Sequence, residues 1–295
     1  MSANKEEQAY LDLLNKILTE GKIRKDRTGI GTLSLFGTRL DFDLSDWSVP
    51  LLTTKEVYAK GVIEELSFFI RGETQTKTLE AKGVNIWRGN TNREFLDKKG
   101  FKDYTEGEMG PMYGAMWRKF SAPVDGGCCD AASHAPVDQL QNCFDLITND
   151  PYSRRIMMTA YNPQASKYSV LDPCHFFIQF YVSDGKLSSQ FQMRSVDTFL
   201  GLPFNLTSYA ILTCIMAKAT KLSPGKLIFV GGDTHLYLSH IEQAKEQITR
   251  KPYNFPKLNI TKEINSVKDM ESLTFNDFEI IDYKHYPKIA AKMAV

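Results

Sequence analysis

The stretch "CHFFIQFYVSDGKLSSQFQMRSVD", residues 174–197, decides the fold. Two strand-like runs flank "SDGK", whose Asp-Gly pair marks a tight reversal, so the segment reads as a β-hairpin. Upstream, "RRIMMTAYNP" (154–163) reads as a further strand. Downstream, "LTSYAILTCIMAKATK" (206–221) is a long, nearly all-round apolar helix, a pattern that implies deep burial. Another strand, "KLIFVGGDTHLYL", leads into the helix "HIEQAKEQITR". Nearer the start, "EEQAYLDLLNKILTE" has helical spacing with Gly21 as its stop, and a glycine-rich turn feeds the alternating residues of "DRTGIGTLSLFGTRLDFDL". "KGVIEELSFFIRG" is a helix with a strongly apolar face ending near Gly72, and "SAPVDGGCCDAASHAP" (121–136) is the best surface loop. Strands and helices mix without strict alternation. The expected fold is therefore α+β, a single domain over 1–295 with a mixed twisted sheet covered by helices, and the polar 260–275 region as a surface excursion.

Composition narrows the function. A chain of 295 residues with 42% hydrophobic and 24% charged residues can bury a sizeable core. Its 36 basic and 35 acidic side chains leave a formal net charge of +1, so no global field draws in nucleic acid or membrane. Any anion must be held by local arginines. The polar start "MSANKEEQAY" lacks the apolar segment of a secretory signal, and no apolar run approaches the roughly 20 residues of a membrane span. With five cysteines, an odd count, reduced thiols and a cytoplasmic or nuclear location are expected.

Cys174 raises the central question. An unpaired cysteine is commonly a small core residue, whereas a nucleophile needs cationic or hydrogen-bonding neighbours that favour its thiolate. His175 is adjacent, but neighbouring strand residues face opposite ways, so it is a poor base for Cys174. Arg194 and Ser195 offer a guanidinium fork and a hydroxyl suited to a phosphate dianion. Asp197, Gly201, Pro203, Phe204 and Asn205 follow in a stretch too irregular for a strand and too apolar for a free loop. The Asn205 amide presents a donor and an acceptor together and can read O4 and N3–H of a uracil ring. His235 and Tyr237 share one strand face and could bond a sugar hydroxyl, or simply mark a strand end emerging into solvent. Arg154 and Arg155 are a weak phosphate signal taken alone. Cys128, Cys129 and His134 lack zinc-knuckle spacing, so no metal is expected. "TGIGT" and "VGG" are too short for nucleotide-binding glycine loops.

Taken together, "DRTGIGT", "LLTTKEVYAKGVIEEL", "GVNIWRGN", "GEMGPMYGAMWRKF", "DPYSRRIMMTAYNP", "DPCHFFIQFYV", "RSVDTFLGLPFN", "GGDTHLYLSHIEQ" and "KMAV" resemble the thymidylate synthase family in order and spacing, from about residue 7 to residue 295. The resemblance implies reductive methylation of dUMP by 5,10-methylenetetrahydrofolate as co-substrate, with Cys174 as the nucleophile at C6. It further implies that Asn205 orients the ring, Glu65 organises water for proton transfers and Tyr113 assists loss of the C5 proton. Arg27, Arg194 and Ser195 would hold the phosphate with Arg154 and Arg155 of the partner subunit of a homodimer, the sheet face forming the interface. His235 and Tyr237 would bond the ribose and the Asp197 backbone the uracil. Ile86, Trp87, Asn90, Leu200, Gly201 and Phe204 would wall the folate site, closed by the terminal residues including Met293 and Ala294.

Four positions depart from the family's pattern. Met193 stands where glutamine is usual, Asp172 precedes Pro173 where a second proline is commoner, Tyr161 replaces a tryptophan, and Arg88 replaces an acid. Met193 also occurs in the related hydroxymethylase branch, so a dUMP hydroxymethylase that forms 5-hydroxymethyl-dUMP is the competing reading. Trp87 and the intact "KMAV" tail argue against it. A catalytically weak RNA-binding or structural homologue is disfavoured by the even charge and by retention of Cys174, Arg194 and Asn205.

Overall fold

The computed structural model describes residues 4–120 and 135–293. Most of the expected 121–136 loop, with Cys128, Cys129 and His134, lies outside the described residues, as does Ala294.

The first helix, Lys5–Glu20, begins where the Asn4 side chain accepts from the Glu7 amide, and ends where Gly21 N–H returns to the Ile17 carbonyl. Its buried residues Tyr10, Leu11, Leu14 and Ile17 recur at three- and four-residue steps and form one apolar face. After the short strand β1 (Lys22–Arg24), that face packs on the sheet strand β2 (Thr32–Asp43). The remaining strands are β3 (Met157–Thr159), β4 (His175–Ser183), β5 (Lys186–Asp197), β6 (Ser223–Tyr237) and a separate antiparallel pair, β7 (Lys257–Ile260) and β8 (Phe278–Ile281).

The main sheet has six strands in the order β1-β2-β6-β5-β4-β3. β5 and β6 run parallel and every other pair is antiparallel, so the sheet is mixed. The 174–197 segment is the expected hairpin. Ser183 pairs with Lys186 across a two-residue turn, and Asp184 (φ 52°) and Gly185 (φ 70°) are both left-handed, the geometry whose twist suits flanking strands. The parallel β5–β6 pair needs a crossover, supplied by the helix Gly201–Ala219. This helix is buried nearly all round, as its composition requires. It packs on β5 and β6, and the sheet's buried residues include Ile178 and Phe180 from β4, Phe191 from β5, and Leu227 and Phe229 from β6. Each such side chain contributes about 1.5–3 kcal/mol by leaving water.

Three sequence expectations change. "RRIMMTAYNP" supplies just three strand residues, Met157–Thr159, its last bond to β4 running from the Ala160 N–H to the Phe176 carbonyl. The irregular stretch before Leu206 is already helix from Gly201, so Phe204 and Asn205 are set by a helical turn. The 260–275 region is not a surface excursion: Ile264, Val267, Met270 and Leu273 are buried, and the short helix Val267–Glu271 packs on the helices Ala59–Ile70 and Gly201–Ala219. Alternate polar residues hid that inner face from a compositional reading.

On the sheet's other face, side chains are left open among the described residues. Tyr181 and Met157 are exposed there, flanked by half-buried Phe177, Ile228 and Val230.

The hairpin turn yields a test. A Cβ on Gly185 would meet no atom within 4 Å, so Gly185→Ala isolates the cost of a left-handed backbone. Urea unfolding is expected to show a loss of about 1 kcal/mol, with the slope unchanged.

Candidate active site

Cys174 sits at the head of β4, where two backbone contacts fix it. Its N–H donates to Tyr113 Oη at 3.0 Å, and its carbonyl accepts from the Arg194 N–H of β5 at 2.9 Å. The Arg194 side chain folds back over the same turn, Nε donating to the Pro173 carbonyl at 2.9 Å and Nη2 to the Asp172 carbonyl at 2.8 Å. A guanidinium is thereby held beside the thiol by the backbone that carries the cysteine. Among the described residues Cys174 is the one cysteine that is partly exposed; Cys143 and Cys214 are buried, their thiols pushed up to about 12 by desolvation.

The Cys174 thiol itself lies above its ordinary value. Burial is the largest cause, the Arg194 and Arg27 charges oppose it, and Asp172 and Asp197 add to it. Arg27 acts from an exposed loop that Asp26 organises, its carboxylate accepting from the amides of Thr28 (2.9 Å) and Gly31 (2.8 Å). The Asp172 carboxylate is turned to the Ser166 hydroxyl.

His175 is buried, in contrast to the partly exposed Cys174 beside it. Its Nδ1 meets Tyr209 Oη at 2.9 Å, its ring stacks on Tyr113 at 4.1 Å, and burial pushes it down to about 3, so it is neutral. It supports Tyr113, whose φ of 35° is unusual for a non-glycine residue, a strain that collects at functional sites.

Glu65, on the helix Ala59–Ile70, is buried and accepts from the Trp87 indole N–H at 2.8 Å. Desolvation raises its carboxyl to about 7, against the lowering effect of that hydrogen bond. Asn205 donates from Nδ2 to Met193 Sδ at 3.5 Å, and Met193 is buried. A thioether is a weak acceptor with no proton to give, so it fixes which end of the amide turns away from it. Asp197 Oδ1 accepts from the amides of Phe199 and Leu200, both at 3.1 Å, and shapes the turn into the long helix. His235 Nδ1 lies 3.2 Å from Asp233 Oδ1 and its ring meets Tyr237 edge-on, with centroids 5.3 Å apart.

Ile86, Trp87, Leu200 and Phe204 are half-buried against the core and Gly201 is also partly open, while Met293 is exposed. Asn90 is buried with its Nδ2 unpaired among the described residues. Ser195 lies on β5 one residue past Arg194.

Arg154 and Arg155 are not brought to this cluster. They precede β3, and the register of Met157 with Gln179 carries Arg155 level with Tyr181, six residues along β4 from His175, or about 20 Å. Both are exposed.

Two groups escaped the sequence reading. Lys55 is buried, its Nζ bonded to the Phe199 carbonyl and 3.6 Å from the centroid of the Phe199 ring. Burial lowers it to about 7 although Asp197 acts the other way. Tyr209, the partner of His175, lies inside the apolar helix run. A lysine ordinarily reads as surface and a helical tyrosine as core, so neither position carried a local signal. Among the described residues no three His, Cys, Asp or Glu side chains converge as a metal site would need.

Fold and cluster define a class: an α+β protein whose partly open cysteine feels two arginine charges, with Tyr113 bonded to its amide. Comparison with known proteins gives the family. Residues 8–295 match the family model described as thymidylate synthase. The chain is 47% identical to the thymidylate synthase of Saccharomyces cerevisiae across 99% of its own length and 98% of that protein. It is 45% identical to the thymidylate synthase of Candida albicans across 100% and 99% of the two chains. With the bifunctional dihydrofolate reductase-thymidylate synthase of Paramecium tetraurelia it shares 46% identity, spanning 98% of this chain and 62% of that one. The chain belongs to the thymidylate synthase family.

The electrostatics make two predictions. Alkylation of the Cys174 peptide by iodoacetamide, followed by mass spectrometry, is expected to rise with pH through a midpoint above 9 in the ligand-free protein. Asp172→Asn is expected to lower that midpoint, because it removes a charge that opposes the thiolate. A midpoint well below 9 would contradict the burial argument.

For Glu65 the folded-state value of about 7 exceeds the ordinary 4.5, so the fold binds this proton more tightly than the unfolded chain does. Its stabilising contribution is whole below 4.5, is lost as pH rises to about 7, and stays lost above. Glu65→Gln is expected to gain up to about 3 kcal/mol of stability on the wild type between pH 5 and pH 8. Parallel urea-unfolding series at the two pH values measure it, and a constant difference would refute the assignment.

Proposed function

We propose that the chain converts dUMP to dTMP by reductive methylation, with 5,10-methylenetetrahydrofolate as co-substrate and dihydrofolate as the other product. The observation that carries this reading is the seating of Cys174: partly open, at the head of a strand, with Arg194 locked beside it and Arg27 near. In this reading Arg27, Arg194 and Ser195 take the phosphate dianion, and His235 and Tyr237 take the ribose. The Asp197 backbone and the Asn205 amide fix the uracil. With Met193 Sδ able to accept and not to donate, Nδ2 stays on the sulfur side, leaving Oδ1 for N3–H and the second amide proton for O4.

Attack of the Cys174 sulfur on C6 pushes an electron pair through the ring to O4 and makes C5 nucleophilic. Arg194 and Arg27 favour the sulfur anion against burial before that bond forms. In this reading Tyr113, bonded to the Cys174 amide, assists removal of the C5 proton. Glu65, raised to about 7, can hold or release a proton in the neutral range and organise water toward O4.

The half-buried apolar side chains of Ile86, Trp87, Leu200 and Phe204 and the unpaired Asn90 donor suit a flat, partly polar heterocycle such as a reduced folate. When bound, the folate supplies the one-carbon unit and the hydride. In this reading Gly201 leaves room at the helix start, and Met293 belongs to the tail that covers the site.

The distance of Arg154 and Arg155 from Cys174 within one chain supports a homodimer in which they serve the partner's phosphate site. The sheet face left open among the described residues is the surface that would join the two copies. We further read 1–295 as one catalytic domain, working without a metal in the cytoplasm or nucleus; no helix among the described residues is long and apolar enough to cross a membrane.

Incubation with dUMP and 5,10-methylenetetrahydrofolate is expected to yield dTMP and dihydrofolate; tetrahydrofolate with 5-hydroxymethyl-dUMP would overturn the reading. Cys174→Ser is expected to abolish turnover and keep dUMP binding. Arg155→Ala is expected to be inactive on its own and to regain activity when its subunits are mixed with Cys174→Ser chains.

A further inference from the structure

The last described residues form a strap across the molecule. Tyr283 Oη donates to the Leu52 carbonyl at 2.8 Å, the Tyr286 N–H to Thr53 at 2.8 Å, and Arg250 Nη1 to the Pro287 carbonyl at 2.8 Å. Beyond Pro287, the hydrogen-bonded point among the described residues is the Lys292 carbonyl, 2.8 Å from His240 Nε2. His240 is buried and lies in the short turn Leu238–His240 that continues directly from β6, three residues after Tyr237. Its ring meets the Tyr237 ring edge-on with centroids 5.7 Å apart and the Phe199 ring at 5.6 Å.

The chemistry of that contact is one-sided. A carbonyl can only accept, so Nε2 carries the proton and a neutral ring has Nδ1 bare. Nδ1 is buried and has no partner among the described residues. A ring kept solely for packing would be better served by phenylalanine, which fills the same space and leaves no unpaired nitrogen. Among the described residues, the one polar contact of the His240 side chain is to the tail.

We infer that His240 is a positioning residue that fastens the C-terminal strap, through the Lys292 backbone, to the element that carries His235 and Tyr237. The inference rests on the functional reading above, in which the tail covers the folate site and β6 holds the nucleoside. The Nε2–H···O=C bond sets where the tail lies before the folate arrives, so the folate spends less of its binding energy on ordering it. Because the bond is to a main-chain carbonyl, the identity of the Lys292 side chain does not matter.

Three variants test this. His240→Phe keeps an aromatic ring against Phe199 and Tyr237 and removes the donor. His240→Gln places an amide N–H near the position of Nε2, and Lys292→Ala leaves the carbonyl in place. Hydrogen–deuterium exchange of the 288–293 amides, measured without any ligand, is expected to quicken by about fivefold in His240→Phe and to return toward wild type in His240→Gln. Lys292→Ala is expected to match wild type. The dissociation constant for a non-reactive folate analogue in the presence of dUMP is expected to weaken by about fivefold in His240→Phe, with dUMP binding alone unchanged. Unchanged tail exchange in a folded His240→Phe protein overturns the inference, as does an equal loss of dUMP affinity or a Lys292→Ala protein that behaves like His240→Phe. Failure of the wild type to form dTMP would instead overturn the functional reading, and the ligand-free exchange result would stand apart from it.

Discussion

The pairing of β5 with the residues that lead into β4 is the constraint on which the site depends. Arg194 is tied to this turn three times, its main-chain N–H to Cys174 and its side chain to Pro173 and Asp172. A one-residue slip of β5 would reverse every side chain along it, sending Arg194 into the core and Met193 to the surface. The register is held by the two-residue turn at Asp184 and Gly185 and by inward Phe191 and Leu187, both fully buried. The apolar core therefore fixes the position of a charge it never touches. Backbone carbonyls, unlike carboxylates, hold the guanidinium without neutralising it, so its field remains available to the thiol and to an anion.

That field works against a cost set by the same packing. For the Cys174 thiol, the Glu65 carboxyl and the Lys55 amine alike, desolvation is the largest cause of displacement. Burial raises the two acids and lowers the base, so all three move toward their neutral forms. A site built from ionisable residues thus carries less charge in the ligand-free protein than its composition implies. His175 marks the extreme, with no charged neighbour to offset burial, and its place is structural: it stacks on Tyr113, which in turn holds the Cys174 amide.

Much of this was legible in the sequence. The hairpin followed from its Asp-Gly turn, and the burial of the 206–221 segment from its lack of a polar face. Strand parity separated Cys174 from His175 before any coordinates. What stayed hidden depended on contacts far apart in the chain. Gly201 starts the long helix because the Asp197 carboxylate, in the preceding turn, accepts two amides there, a side-chain choice that composition does not reveal. Lys55 is buried because the Phe199 carbonyl and ring, 144 residues away, receive it. The apolar face of the 260–275 region existed only in relation to the helices it covers. Arg154 and Arg155 read as an isolated basic pair, and only the β3–β4 register shows how far from Cys174 they lie.

The near-zero net charge then has a physical use. A formal charge of +1 spread over the whole surface would attract an anion to no particular place. Concentrating fixed cations where carbonyls hold them gives a strong local field with little long-range pull. Lys55 cannot take that part, since at about 7 it is only half charged near neutrality, whereas a guanidinium stays ionised throughout the physiological range. The difference between exposed Arg194, held by carbonyls, and Lys55, packed on the Phe199 ring, follows from that chemistry: the group that stays charged is the one whose charge burial cannot remove.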